Sequence, residues 1–260
     1  MTDIDTPASR VWSNAVLPAL GVVVAIALWW LACVVFHIDP FYVPSPADVV
    51  DSFLKTPRYL LDESWVTIQR VLIGFVIAVA AGLAIAVVLA ASRTVERMAM
   101  PVLAAVNAIP KVALAPLLLV WMGFGNSPKI VMVVMVSFFP VIVSTMAGLT
   151  STPADLRELA RSLKASWWQT FVKVRLTWAL PQVFVGLKVA TPLAIIGAVI
   201  GEVVNPDHGL GSVIAGSSAS SDTALAFAAL VLLAVLGVVL FYLVAGLERV
   251  LVPWARSLSS

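Results

Sequence analysis

Residues 71–92 read VLIGFVIAVAAGLAIAVVLAAS, twenty-two consecutive positions without a charge. Roughly 20 mostly apolar residues carry a helix across the hydrocarbon of a bilayer, and lipid offers no partner for unpaired backbone groups. The stretch therefore reads as a spanning helix. Outward from it, residues 15–36, 130–154 and 223–247 are charge-free over similar lengths. Two more spans emerge once a single charge is tolerated, 98–127 around Lys111 and 176–201 around Lys188.

The whole chain fits this reading. Of 260 residues, 61% are hydrophobic and 12% charged, where a soluble domain carries about 25% charged residues. A soluble or disordered chain is excluded on those figures. Cys33 stands alone, so no disulfide framework is available. A net charge of +2 gives no footprint for nucleic acid. The expected class is an all-α integral membrane protein with about six transmembrane helices, near 15–36, 67–92, 98–122, 129–150, 178–203 and 223–250, in one domain over residues 1–260. The first run is too long for a signal-peptide core and lacks a small-x-small cleavage site, so it reads as a retained span.

Loop charge sets the orientation. With the N-terminus inside, the inner segments hold Arg10, Arg93, Arg97, Arg157, Arg161, Lys164, Lys173, Arg175, Arg249 and Arg256. The outer segments hold Lys55, Arg58 and Lys129 among mostly acidic residues. Ten cations against three predict that both termini are cytoplasmic.

Two loops exceed the length of a connector. On the outer side, Ser45 precedes Pro46 and Asp48 in the order of a helix cap, first-turn proline and first-turn acid. Val49, Val50, Phe53 and Leu54 then predict an amphipathic helix lying on the outer surface. On the inner side, residues 151–176 begin with Thr152 as the expected cap, followed by Pro153 and Asp155. Leu156, Leu159, Ala160 and Leu163 recur at helical spacing, and Arg157, Glu158, Arg161 and Lys164 fall on the other face. A second short helical pattern runs through Trp168, Phe171, Val172 and Arg175, and Pro181 marks re-entry into the membrane. Such a hairpin suits either the lipid headgroups or a groove on a soluble partner.

The stretch Glu158-Leu159-Ala160-Arg161-Ser162-Leu163-Lys164-Ala165-Ser166 resembles the EAA loop of ABC importer permeases. Ala108-Ile109-Pro110-Lys111-Val112-Ala113-Leu114-Ala115-Pro116 and Trp121-Met122-Gly123-Phe124-Gly125 are similar to the third-span signature of the nitrate, sulfonate and taurine branch. That branch also includes thiamine-precursor and riboflavin importers. Pro44-Ser45-Pro46, the Gly186–Ala190 and Gly197–Glu202 segments, and Gly209-Leu210-Gly211 extend the likeness over nearly the whole chain.

The resemblance implies a MetI-like fold and a multi-pass location in a bacterial inner membrane. It implies a second permease copy as a homodimer, two ATP-binding subunits, an extracytoplasmic solute-binding protein and membrane lipid as partners. It makes Leu156, Glu158, Leu159, Ala160, Leu163, Lys164, Ala165 and Ser166 the ATPase-coupling loop. ATP and Mg would be held by the partner ATPase, with no cofactor in this chain. Two positions depart from the family: Lys164 stands where it has glycine, and Leu176-Thr177 replaces its Leu-Pro pair. A lysine held in the glycine's conformation costs about 1–2 kcal/mol, so the expectation is a reshaped bend or a first helix that runs past Leu163.

Ionisable groups within membrane spans are costly and mark function by default. Arg70 and Glu202 fall near outer span ends, where snorkelling to water is easy. Lys111 follows the helix-breaking Pro110, with Asn107 one turn earlier on the same face. Asn107, Lys111 and Glu202 are the candidate translocation-path residues. The competing expectation is a structural Lys111–Glu202 pair. Lys188 is expected near the inner surface in a structural or gating role. Gly74, Gly82, Gly186, Gly197 and Gly201 are expected to bring helices close together, within one chain rather than as a dimer motif. Gly209-Leu210-Gly211 reads as a turn or short re-entrant element.

His37 and His208 have no clustered acids or cysteines in sequence, and no metal site or catalytic constellation is expected. The expected function is the permease subunit of an ATP-driven importer. The alternative, an ion-coupled secondary transporter, calls for an internal repeat that the chain does not display. Nitrate, sulfonates, taurine, pyrimidine precursors and flavins all stay open as solute, and the Gly197–Glu202 segment leans toward small organic nutrients.

Overall fold

The computed structural model describes residues 7–254, and every regular element among them is a helix. In chain order these are α1 (Pro7–Val35), α2 (Pro46–Lys55), α3 (Pro57–Ala90), α4 (Arg93–Ala108), α5 (Lys111–Met122), α6 (Asn126–Thr150), α7 (Ala154–Ser162), α8 (Trp167–Thr170), α9 (Thr177–Val204), α10 (Leu210–Ala219) and α11 (Thr223–Leu251). A π-helical turn, Phe171–Leu176, joins α8 to α9. Arg256, counted among the inner cations, lies outside the described residues, as do positions 1–6.

Four helical stretches among the described residues are long and apolar enough to cross a membrane: Pro57–Ala90, Asn126–Thr150, Trp167–Val204 and Thr223–Leu251. The stretch 98–122 is not one straight rod. α4 and α5 meet at 86°, and together they make a fifth candidate span. Pro110 is the cause: it has no N–H for the helical ladder, and it pushes Ile109 into an extended conformation at ψ 129°. In α1 the apolar part is shorter, Ala19–Val35, so the expected count of six exceeds what these lengths give.

The core is the triple contact of α3, α6 and α9. Lipid tails are as apolar as leucine, so helices in a bilayer associate through close van der Waals packing and polar links, which small residues permit. The expected close approach within one chain is met. A Cβ placed on Gly197 lies 2.7 Å from the Cα of Val133, and one on Gly201 lies 2.9 Å from the Cα of Lys129. Gly186 sits in the same way against Pro140 and Ser144, and Gly148 of α6 against Ala179. Gly74 and Gly82 of α3 face Val133 and Val141 of α6. The stretch from Gly197 to Gly201 is thus a packing seam.

The cap expected at Ser45 is present as a reciprocal box. The Ser45 hydroxyl accepts from the Asp48 amide at 3.3 Å, and the Asp48 carboxylate accepts from the Ser45 amide at 2.9 Å. Bonds donated to the Asp48 carboxylate by the Ser45 hydroxyl, at 2.7 Å, and by the Ser45 amide hold that carboxyl below its usual range. The apolar face of α2 is split, however. Val49 is buried and Phe53 packs against the core near α11, whereas Val50 and Leu54 are exposed.

Replacing Gly197 by leucine forces atoms into the α6 backbone and is expected to cost about 1–3 kcal/mol or more. The exposed Gly216, with nothing near its added Cβ, is expected to tolerate alanine with a gain of about 0.5–1 kcal/mol. Thermal unfolding of the two variants in detergent checks the contrast.

Candidate functional site

Two polar constructions stand at opposite ends of the α3–α6–α9 bundle, with a third at the α4–α5 break. At the end expected to face outward, Arg70 of α3 is 4% exposed and Glu202 of α9 is fully buried. The Arg70 guanidinium donates to Glu202 at 2.9 Å, to the His208 carbonyl at 2.6 Å and to Asn126 at 2.9 Å. Glu202 accepts further bonds from the Thr67 hydroxyl at 3.0 Å and the Gly211 amide at 2.9 Å. Neither residue snorkels to water as expected; they satisfy each other inside the protein.

Glu202 lies beneath α10 rather than along an opening. The first amides of that helix are claimed by side chains of α3 and α9: Gly209 by Glu63, Leu210 by Thr67 and Gly211 by Glu202. Carboxylates at a helix N-terminus satisfy its orphan donors and complement its dipole. Gly209 has φ 103°, and a Cβ there would overlap the Glu202 carboxylate, which explains the Gly209-Leu210-Gly211 motif. Its role is to start an apolar helix on a buried acid.

Lys129, expected in an outer loop, is fully buried in α6 and ion-paired to Asp207. Asp207 also lies 3.7 Å from Arg70. Burial pushes the Asp207 carboxyl up, but Lys129, the His208 amide and the nearby Arg70 outweigh it and hold it below the usual range. His208 stands 3.2 Å from Glu63, so the expectation of a histidine without nearby acids is corrected. No group of residues suited to a metal occurs among the described residues.

At the α4–α5 break, Lys111 and Asn107 do come together. The ammonium donates to the Asn107 side-chain oxygen and to the carbonyl of the same residue, both at 2.6 Å. That carbonyl is one of those the break leaves without a helical partner. The alternative Lys111–Glu202 pair is absent, because Glu202 is committed to Arg70. Lys188 of α9 pairs with Glu248 of α11 at 2.8 Å, which ties two long helices together.

The construction at the opposite end of the bundle is the hairpin of α7 and α8. Thr152 does not cap α7; its hydroxyl turns back to the Leu149 carbonyl and Pro153 occupies the cap position. Ala160 is buried and Leu156 half-buried, but Leu159 and Leu163 are 56% and 74% exposed. Between α7 and the segment 165–174 lies a groove of about 330 Å³ lined mainly by Leu156, Leu159, Ala160, Leu163 and Ala165. Glu158 points away from it and is exposed.

α7 does not run past Leu163: it ends at Ser162, and the bend puts Lys164 in the left-handed conformation that glycine adopts cheaply. Lys164 has φ 52°, its amide donates to the Arg161 carbonyl, and the Ala165 amide reaches the Ala160 carbonyl at 3.0 Å. These two bonds make a Schellman cap with lysine at the position glycine usually fills. Ser166 then starts α8 through a box with Gln169, a Ser-x-x-Gln pattern that sequence inspection passed over although its spacing is diagnostic. The second segment is not a separate helix: α8, the π turn and α9 run on as one stretch, Trp167–Val204. In the π turn the Thr177 hydroxyl bonds the carbonyl five residues back, and the Arg175 guanidinium reaches the last carbonyls of α3 and α6, Ala90 and Leu149.

Comparison with known proteins adds the following. Residues 72–257 match the family model described as binding-protein-dependent transport system inner membrane component. The riboflavin transport system permease protein RibX of Chloroflexus aurantiacus is 37% identical over 246 residues, covering 92% of both chains. The formylaminopyrimidine transport permease protein ThiX of Halalkalibacterium halodurans is 30% identical, covering 94% of this chain and 97% of its own. A solved structure described as an amino acid ABC transporter with histidines superposes with a TM-score of 0.59 at 16% identity, over 78% of this chain and 96% of that one.

Breaking the Arg70–Glu202 pair from one side leaves a buried charge uncompensated, so Arg70→Met is expected to cost about 3–5 kcal/mol. The Arg70→Met/Glu202→Met double variant recovers much of the loss in the same unfolding assay. Lys164→Gly relieves the positive φ and is expected to stabilise the hairpin by about 1 kcal/mol, while Lys164→Val does the reverse. Hydrogen exchange at the Ala165 amide reports both.

Proposed function

The chain belongs to the family of binding-protein-dependent transport system inner membrane components, and from that premise we propose how its parts serve import. It is a transmembrane permease subunit of an ABC importer in the inner membrane. Membership of the family implies an ATPase and a solute-binding protein as partners. Our reading is an assembly of two copies of this chain, two ATP-binding subunits on the inner face and one binding protein outside, with both termini of the chain cytoplasmic. ATP and Mg belong to the separate ATPase, and this chain carries no catalysis.

Coupling runs through Leu156, Glu158, Leu159, Ala160, Leu163, Lys164, Ala165 and Ser166. The observation that carries this is the half-seated stripe of α7: Ala160 is buried in its own chain, while Leu159 and Leu163 stand open over an apolar groove at the inner end of the bundle. Closure of the ATPases on nucleotide moves this hairpin, and the pair of permeases rocks between inward- and outward-open forms. Asn107 and Lys111 line the path from the bent α4–α5 pair, where Ile109 and Val112 are exposed and a second copy completes the wall. Glu202 holds the outer end shut beneath α10 instead of lining the path. The solute is a small organic nutrient; the relatives named for riboflavin and formylaminopyrimidine support this class.

Leu159→Asp/Leu163→Asp is expected to abolish solute-stimulated ATP hydrolysis and to cut co-purification of the ATPase at least about tenfold, with membrane insertion unchanged. Undiminished co-purification and stimulation would count against coupling at this hairpin.

A further inference from the structure

Beside the hairpin, but apart from its apolar groove, lies a polar cavity of about 310 Å³. It is lined by Ala90 at the end of α3, Glu96 and Arg97 of α4, Leu149 and Thr150 at the end of α6, Arg157 of α7, and Arg175 of the π turn. Three guanidiniums thus face one space against a single carboxylate. Arg175 is occupied by the Ala90 and Leu149 carbonyls, at 3.3 and 3.2 Å. Among the described residues neither Arg97 nor Arg157 has an ion pair, and both are exposed to the cavity mouth. Like charges lining one space repel one another, an anion between them relieves that repulsion, and guanidinium forks match the oxygens of a phosphate.

We propose that this cavity is a phosphate-anion site, in which Arg97 and Arg157 clamp the anion while Arg175 fixes the floor. The site does not belong to the import path or the coupling groove. Its consequence is mechanical: an anion here ties α7, which carries the coupling leucines, to the ends of α3 and α6 and to the start of α4. The phosphate comes either from an anionic phospholipid of the inner leaflet or from free phosphate in solution. The lipid source rests on the orientation given under the proposed function; the free source does not.

The test uses the intact assembly in neutral detergent. Inorganic phosphate is titrated with thermal unfolding as the readout, and phosphatidylglycerol and phosphatidylcholine are compared for retention by native mass spectrometry. The variants are Arg97→Gln/Arg157→Gln, whose side chains make no ion pair among the described residues, and Lys55→Gln at the opposite end as a charge control. Preferential retention of phosphatidylglycerol, lowered about tenfold in the double variant but not in the control, establishes the lipid source. A saturable phosphate-induced rise in unfolding temperature that only the double variant loses establishes the free source. Equal retention of both lipids with no phosphate response, or responses unchanged in the double variant, overturns the site. Loss of the ATPase from the double variant with no anion response in the wild type also overturns it, since the arginines then serve the docking surface. Failed import leaves the anion readouts untouched, so the two readings fail separately.

Discussion

The contact on which the other features depend is the close approach of α6 and α9 along Gly148, Gly186, Gly197 and Gly201. Nothing in a bilayer squeezes apolar helices together as water does, so their cohesion comes from dispersion at short range and from a few polar links. Side chains at the glycine positions would hold the two backbones apart and dissolve both. Because the seam is tight, α9 is held against α6 along most of its length. The packed length is α9, Thr177–Val204, roughly 42 Å at 1.5 Å per residue.

What stands at the two ends of this helix gives the protein its mechanical character. The end that carries α10 is fastened by buried charge: Glu202 meets Arg70, and Lys129 meets Asp207, with α10 started on the Glu202 carboxylate. Such links have a definite made and unmade state, unlike apolar packing, which yields gradually. The end that carries the hairpin is looser. Its π turn interrupts regular helix at Phe171–Leu176, and Arg175 spans from there to the ends of α3 and α6. In the proposed mechanism, displacement of the hairpin is delivered to a stiff helix through a weak link and arrives at the Arg70–Glu202 clasp. The Lys188–Glu248 bridge draws α11 into the same movement.

The helical class and the amphipathic character of α7 were legible because both are local: apolar runs, a 3.6-residue period and a Ser-Pro-x-Asp start each act within a turn or two. The Ser45 box and the helix-breaking effect of Pro110 were legible for the same reason. The clasp was not, since Arg70 and Glu202 are 132 residues apart and no local pattern couples them. Lys129 was read as a loop cation because its burial depends on Asp207, which lies 78 residues away. Lys164 misled in the opposite direction: its low left-handed propensity argued for a helix running past Leu163, but two backbone bonds at the helix end override that cost. The π turn left no signal in composition, and Thr152 took the backward bond to Leu149 that competes with capping.

The account turns on where Leu159 and Leu163 go when the machine is assembled. Electron cryo-microscopy of the complete importer in lipid, trapped with a non-hydrolysable nucleotide, answers this directly. The account predicts both side chains enclosed by the ATPase subunit, with α7 still joined to α8 through the Lys164 bend. Leucines found against lipid or folded back onto their own chain, with the ATPase contacting some other loop, would contradict it.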